Sequence, residues 1–238
     1  MEQLGFKFTD TKILIGNHAH GDHQEGDALV KQVTGAQVVV MAEDVPALRA
    51  IKPGGKEHPV DRTIRDGETV RLGDTVLTAH LTPGHTRGCT TWTMKVKENS
   101  KTRNVVIIGS PNVNPGYKLV DNTAYPQIAA DYEKTFRVLK SLPIDYFLGA
   151  HGSYFDMETK YKRFKAGDAN AFIDPEGYMK YVNEREQAFR QELKKQSKPP
   201  NKTTAQTSTS AVFCLQKANP GRAPLTKGRA QTLLRSST

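Results

Sequence analysis

Three histidines and one aspartate lie within the six residues 18–23, which have the sequence HAHGDH. Imidazole nitrogens and carboxylate oxygens are the ligands that zinc and similar divalent metals prefer in proteins. Gly21, inside this cluster, lets the backbone turn tightly enough for ligands on both of its sides to converge. A polar surface loop is the alternative, but three of the chain's seven histidines stand here. We therefore interpret the cluster as a metal-binding segment.

Two more histidines stand where predicted strands end. The apolar run 12–16 predicts a short buried strand directly before the cluster, which would then lie in a loop. His85 follows a predicted strand over 75–81, and His151 follows one over 146–149. A glycine beside each of them lets the backbone bend the ring inward. The candidate ligands are therefore His18, His20, Asp22, His23, His85 and His151.

Six ligands are too many for one catalytic zinc, which takes three protein ligands and keeps a position for water. Divided three and three, they would make two open sites, and two close metal ions that share a hydroxide form a hydrolytic centre. The remaining histidines, His58 and His80, are interpreted as non-ligands, and His80 lies inside a predicted strand. The residue types thus predict hydrolytic chemistry at two metal ions.

Apolar runs and helical periodicity predict further strands and helices in the rest of the chain. Apolar and β-branched runs predict further strands over 36–41, 89–96 and 105–108. Helices are predicted over 25–34, 43–51, 125–141, 157–166 and 174–195. Residues 56–65 are predicted to form a loop. The aromatic residues of helix 125–141 recur at helical spacing, so we interpret them as core rather than as a cofactor site.

Charge is distributed unevenly along the chain. Of the net charge of +9, residues 197–238 carry +7 with no acidic residue, and the remaining body carries +2. We predict that this basic tail is mostly disordered and simply solvated, and we expect no nucleic-acid partner. Two cysteines cannot make a disulfide framework. No apolar run is long enough to cross a membrane, and no signal peptide is visible at the start.

Two further stretches carry a resemblance to a known family. Residues 77–92 have the sequence LTAHLTPGHTRGCTTW, and residues 114–117 have the sequence NPGY. Together with the cluster at 18–23 and with His151, they resemble the metallo-β-lactamase superfamily. Residues from about 5 to 196 are most similar to subclass B3 of the metallo-β-lactamases. The resemblance implies an αββα sandwich over 1–196 that lacks part of its N-terminal αβ half, because only seventeen residues precede the first motif.

The resemblance also implies roles for the candidate ligands. One zinc would be held by His18, His20 and His85, and a second by Asp22, His23 and His151. A metal-bound hydroxide would attack the amide carbonyl of a β-lactam antibiotic, and Asp22 would orient the water. The family further implies a periplasmic or secreted enzyme that confers antibiotic resistance. We expect a monomer that acts on a small molecule, without a membrane.

Residue 110 discriminates within the superfamily. Thioesterases, and many lactonases and nucleases, place a bridging Asp after the strand that ends here at Ile108, whereas this chain has Gly109 and Ser110. This matches the lactamase subclass. Ser110, Asn112 and Asn114 become candidates for substrate contacts, with ordinary loop capping as the equal alternative. A lactone or ester hydrolase, or an inactive truncated zinc-binding remnant, remain alternatives for the whole chain.

Overall fold

The structure is a computed structural model that describes residues 1–2, 5–98 and 100–198. The predicted tail lies outside these residues, apart from its first two positions. Six α-helices and eight β-strands are present in the described part of the chain. None of these helices is long and apolar enough to cross a membrane.

The first sheet is parallel and has three strands in the order β1-β2-β3. They are β1 (Ile13–Ile15), β2 (Gln37–Met41) and β3 (Arg62–Ile64). β3 lies inside the predicted loop 56–65, so that prediction was wrong. Its three residues are too few to show a periodicity, and they become a strand because they pair with β2, over twenty residues earlier in the chain.

The second sheet has five strands in the order β4-β5-β6-β7-β8. They are β4 (Thr69–Leu72), β5 (Thr75–Leu81), β6 (Thr90–Glu98), β7 (Lys101–Ile108) and β8 (Tyr146–Gly149). The first four form an antiparallel meander, and β8 joins β7 in parallel. A parallel neighbour requires a long crossover, which here contains a helix.

Six helices cover and connect the sheets: α1 (Gly21–Gln24), α2 (Asp27–Thr34), α3 (Val45–Ala50), α4 (Ile128–Ser141), α5 (Met157–Lys165) and α6 (Pro175–Gln196). Most lie within three residues of the predicted bounds. α1 is the exception, because the second half of the histidine cluster was predicted to be loop. Gly21 and the three residues after it form one helical turn instead, so Asp22 and His23 project from a hydrogen-bonded backbone.

Three apolar layers order the elements as an αββα sandwich. Between the sheets, Met41 and Ile64 of the first pack with Ala79 and Trp92 of the second. On the outer side of β2, alternate residues pack against Leu48 of α3. On the outer side of the second sheet, strand residues pack against aromatic side chains of α4 and α6, namely Tyr132, Phe136, Tyr178 and Phe189. The core interpretation of the α4 aromatics is therefore correct.

β1 is only half-buried, although a buried strand was predicted there. All three of its residues, Ile13 to Ile15, have intermediate exposure. Among the described residues β1 has β2 as its sole sheet neighbour, so it is an edge strand.

Candidate metal centre and active site

Three histidines from two parts of the chain form a first group of potential ligands. One ring nitrogen from each of His18, His20 and His85 lies within 4.8 Å of the other two. The centroids of the His18 and His85 rings are 4.6 Å apart, as are those of His20 and His85. His18 and His85 are buried, and His20 is partly exposed. The group is therefore compact enough for one metal ion and is open on one side.

A second group lies directly beside the first. It contains Asp22, His23 and His151, with one ligand atom from each within 4.8 Å of the others. Nε2 of His23 is 3.0 Å from Nε2 of His151. One carboxylate oxygen of Asp22 is 3.5 Å from the first of these nitrogens and 3.7 Å from the second. The rings of His18 and His23 have centroids 4.1 Å apart, so the two groups are adjacent.

Close backbone packing fixes the loops that carry these ligands. Gly84 has a φ of +123°, and a Cβ added there would lie 2.7 Å from the ring of Tyr132. Only glycine fits this position, which directs His85 towards the first group. Gly16 has a similar role, because an added Cβ would collide with the side-chain amide of Gln24. That amide donates a hydrogen bond to the carbonyl of His18.

The environment of the first group suits a bound metal ion. Both ring nitrogens of His18 are buried and have no hydrogen-bond partner among the described residues. Buried polar atoms are normally paired, so an unpaired imidazole in a cluster of histidines fits a metal ligand. Nδ1 of His85 is 2.8 Å from the carbonyl oxygen of Asn112. A donor there leaves the lone pair of Nε2 free for a metal, which is the usual arrangement of a ligating histidine.

Burial keeps these imidazoles neutral. It lowers the pKa of His18 from 6.5 to about 2, with a further contribution from the neighbouring histidines. It also lowers the pKa of His85 to about 4, against the opposing effect of the Asn112 carbonyl. The pKa of His23 is lowered for the same reason, although Asp22 opposes the shift. Neutral imidazole is the form that binds metal, so the site is ready for a cation at neutral pH.

The fold and sequence have close relatives among solved structures. The native FEZ-1 metallo-β-lactamase of Legionella gormanii is 50% identical and superposes with a TM-score of 0.79, covering 83% of this chain and 80% of its own. BJP-1, a subclass B3 metallo-β-lactamase of Bradyrhizobium japonicum, is 39% identical with a TM-score of 0.75, covering 82% and 77%. The chain belongs to the metallo-β-lactamase superfamily. Within it, the chain is most similar to subclass B3.

Other members of the superfamily match over a shorter region. The hydroxyacylglutathione hydrolase of Methylobacterium sp. (strain 4-46) is 39% identical over 83 residues, which are 35% of this chain. The match spans only 28% of that relative's length. No family model matches the chain. The comparisons together identify this metallo-β-lactamase-fold protein as a hydrolase of the superfamily.

Asp44 links the two loops that carry the first ligand group. Its carboxylate accepts hydrogen bonds from the backbone nitrogens of Ala19 and Gly88, at 2.9 and 2.6 Å, and from the hydroxyl of Thr86 at 2.8 Å. Burial raises the pKa of Asp44, and these hydrogen bonds oppose the shift. Asp44 stands at the start of the predicted helix 43–51, and no local sequence pattern assigns it to the site.

Tyr117 is a second residue that sequence reasoning did not assign to the site. Its hydroxyl donates to the carbonyl oxygen of His85 at 2.9 Å and lies 3.2 Å from Nε2 of His20. It therefore contacts two members of the first ligand group. The NPGY segment that contains it was noted for the family resemblance, and this was the available signal.

The three predicted substrate-contact residues lie in different surroundings. Ser110 is buried, and its hydroxyl is 3.1 Å from the hydroxyl of Tyr154. Asn112 and Asn114 are half-buried and line a cavity of about 520 Å³. His58 and His80 belong to neither ligand group among the described residues. Nε2 of His58 contacts Asp27 at 2.9 Å, and Nε2 of His80 contacts Thr93 at 2.8 Å.

Proposed function

We propose that this protein is a zinc-dependent hydrolase that opens the amide bond of β-lactam antibiotics. The observation that carries the proposal is the pair of adjacent three-residue ligand groups. Similarity to two metallo-β-lactamases over most of their length supports the choice of substrate. The proposed substrate is a small molecule. The proposed enzyme is a monomer that works in the periplasm or outside the cell.

Each ligand group would hold one zinc, giving two per chain. His18, His20 and His85 would bind the first, and Asp22, His23 and His151 the second. When bound, zinc lowers the pKa of a water ligand to about 7 and polarises a carbonyl group. Two histidines and a carboxylate, or three histidines, leave the fourth tetrahedral position for water or substrate.

The chain's own residues would orient the reactants. The side chain of Asp22 is largely exposed, at 62% of its full area, so its second oxygen can accept a hydrogen bond from the attacking water. This would make Asp22 both a ligand and a catalytic residue. Asn112 and Asn114 line the neighbouring cavity and would donate hydrogen bonds to substrate carbonyl or carboxylate oxygens. The buried Ser110 would act indirectly, through a hydrogen bond between its hydroxyl and that of Tyr154.

A thioesterase is the second candidate, because the sequence relatives are named hydroxyacylglutathione hydrolases. The residue at position 110 favours the lactamase. A hydroxyl cannot bridge two cations as a carboxylate does, and Asp22 is the one carboxylate in the two ligand groups of the described residues. A lactone or ester substrate, and a remnant that binds zinc without activity, are the remaining alternatives.

The test measures hydrolysis by the full chain after loading with zinc. We expect turnover of benzylpenicillin or a carbapenem, abolished by a chelator and restored by zinc, with about two zinc ions per chain. S-lactoylglutathione and an acyl lactone serve as competing substrates. Faster turnover of either would replace the β-lactam proposal. A zinc content near two with no turnover of any substrate would indicate the inactive remnant.

A further inference from the structure

His58 is a buried histidine to which the proposed function gives no role. It lies in the loop before β3, and its side chain is 0% exposed. Nε2 of its ring is 3.0 Å from Oε1 of Gln24 and 2.9 Å from Oδ2 of Asp27. The other ring nitrogen, Nδ1, has no hydrogen-bond partner among the residues that the structure describes. The orientation of the ring therefore depends on the two contacts of Nε2.

Gln24 connects His58 to the first ligand group. It is the last residue of α1, and its side chain is buried. Its Nε2 donates a hydrogen bond to the carbonyl oxygen of His18 at 3.0 Å. Because a carbonyl oxygen can only accept, the amide turns its nitrogen towards His18 and its oxygen towards His58. Both partners of the His58 Nε2 are then acceptors, so this nitrogen carries the hydrogen of the ring.

The N–H of His58 decides which way the Gln24 amide faces. An amide rotated by half a turn would bring Oε1 of Gln24 against the carbonyl oxygen of His18. It would also bring the NH2 group of Gln24 against the N–H of His58. Two acceptors would then meet at one end and two donors at the other, and buried polar groups left unpaired destabilise a protein. His58 therefore keeps the amide in the orientation that binds the backbone of His18.

Asp27 in turn fixes the ring of His58. It lies in the first turn of α2 and is 8% exposed. A hydrogen bond to a carboxylate is about twice as strong as one between neutral groups. The end of α1, the start of α2 and the loop before β3 are thus joined by buried side chains, and the connection ends at the backbone of a ligand residue.

We propose that His58 is a positioning residue of the metal centre, which acts through Gln24 on the backbone of His18. The proposal rests on the proposed function, since it assumes a metal ion at the first ligand group. Neither ring nitrogen of His18 has a hydrogen-bond partner in the described part of the chain, so its backbone is what directs the ring. Partners that orient metal ligands typically contribute about 10–100-fold to metal affinity. The lower value applies here, because His58 acts through a second side chain.

The first test measures the zinc affinity of the full chain by competition with a chelator. His58→Phe keeps a planar ring without the N–H, and we expect zinc to bind about tenfold more weakly. His58→Gln should restore most of the affinity, because its side-chain amide can present an N–H to Gln24. His80→Phe is the matched control and should leave zinc affinity unchanged. It removes a half-buried histidine whose Nε2 contacts Thr93 in the second sheet.

A double-mutant cycle tests whether His58 acts through the amide. Gln24→Met keeps the length of the side chain, removes the amide and leaves His58 paired with Asp27. Alone it should weaken zinc binding about tenfold, which keeps the proposal testable if His58→Phe does not fold. In the Gln24→Met background, His58→Phe should have no further effect on zinc affinity. Equal losses in both backgrounds would mean that His58 contributes only general stability, and would overturn the proposal.

The outcomes separate this proposal from the proposed function. Unchanged zinc affinity in a folded His58→Phe or Gln24→Met variant would refute the positioning role and leave the proposed β-lactam substrate standing. Zinc affinity that depends on both residues as expected, without turnover of benzylpenicillin or a carbapenem, would support the positioning role and refute the proposed substrate alone. A wild-type chain that binds no zinc would refute both.

Discussion

The ring of His18 shows how burial affects a side chain of the candidate site. His18 is 3% exposed, and neither ring nitrogen has a partner in the described structure. An imidazole buried in this way would be costly without a ligand. Its neighbours are other imidazole rings, which offer lone pairs rather than an opposite charge. A cation is the partner that satisfies all of them together.

Replacement of His151 tests the second ligand group. We expect His151→Ala to reduce the zinc content from two towards one and to lower turnover at least about tenfold, since even indirect partners of a metal contribute this much. Metal analysis and steady-state kinetics give both values. His80→Ala is the matched control, because His80 lies in β5 and outside both groups. Unchanged zinc content and turnover in His151→Ala would contradict the assignment.

Acid should destabilise the metal-free protein through its buried histidines. His18, with a pKa lowered to about 2, stays unprotonated in the folded state, whereas the unfolded chain takes up a proton near the ordinary value of 6.5. This histidine has no effect above that value. Below it, the free energy of unfolding should fall by up to about 1.4 kcal/mol per pH unit. Urea unfolding between pH 7 and 5 measures the slope. His18→Asn should reduce it, and an identical slope would contradict the prediction.

Among the elements, the two loops that carry the first ligand group are held together by hydrogen bonds to one buried carboxylate. The loop after β1 and the loop after β5 both donate hydrogen bonds to Asp44. The carboxylate stands at the end of a short 3-10 helix before α3. Two loops that are more than sixty residues apart in the chain are thus held in one arrangement. The geometry of the first ligand group depends on it.

Asp44→Asn should therefore weaken zinc binding as well as stability. The amide keeps one acceptor and turns a donor towards a backbone N–H, leaving buried groups unpaired at a cost of about 1–3 kcal/mol. Thermal unfolding and chelator competition measure the two effects. Asp145→Asn is the matched control: Asp145 also accepts from a backbone nitrogen, that of Asn104 at 2.7 Å, but in the second sheet. If both variants lose stability and both keep zinc affinity, Asp44 does not position the ligands.

Across the whole molecule, the last helix supports the loop that contacts the first ligand group. The side chain of Gln196 accepts a hydrogen bond from the backbone nitrogen of Leu119 at 2.7 Å and donates one to the carbonyl of Tyr117 at 2.8 Å. The end of α6 thus holds the loop whose tyrosine contacts His20 and His85. We propose that residues 1–196 form the metallo-β-lactamase domain and that the basic segment 197–238 is separate from it.

Two truncations test this boundary. A chain that ends at residue 198 keeps Gln196 and should retain the zinc content, melting temperature and turnover of the full chain. A chain that ends at residue 190 loses Gln196 and the last turns of α6, so KM should rise and the melting temperature should fall. Reduced zinc binding by the chain that ends at residue 198 would show that the tail contributes to the site. Binding of the full chain and of the chain that ends at residue 198 to duplex DNA tests the nucleic-acid alternative, and we expect none from either.

The amino-acid sequence by itself determined the ligand types and their grouping near residue 18, because these depend on local composition and spacing. Its motifs also carried the resemblance to the superfamily. It also indicated the helices with strong periodicity, such as α4. The tertiary structure decided that β3 is a strand, that β1 is an edge, and that α1 carries Asp22 and His23. The resemblance implied which histidines share a group, and the tertiary structure brings the residues of each group together. These features depend on contacts between distant residues, which sheet order and core packing create and which leave no local pattern in the chain.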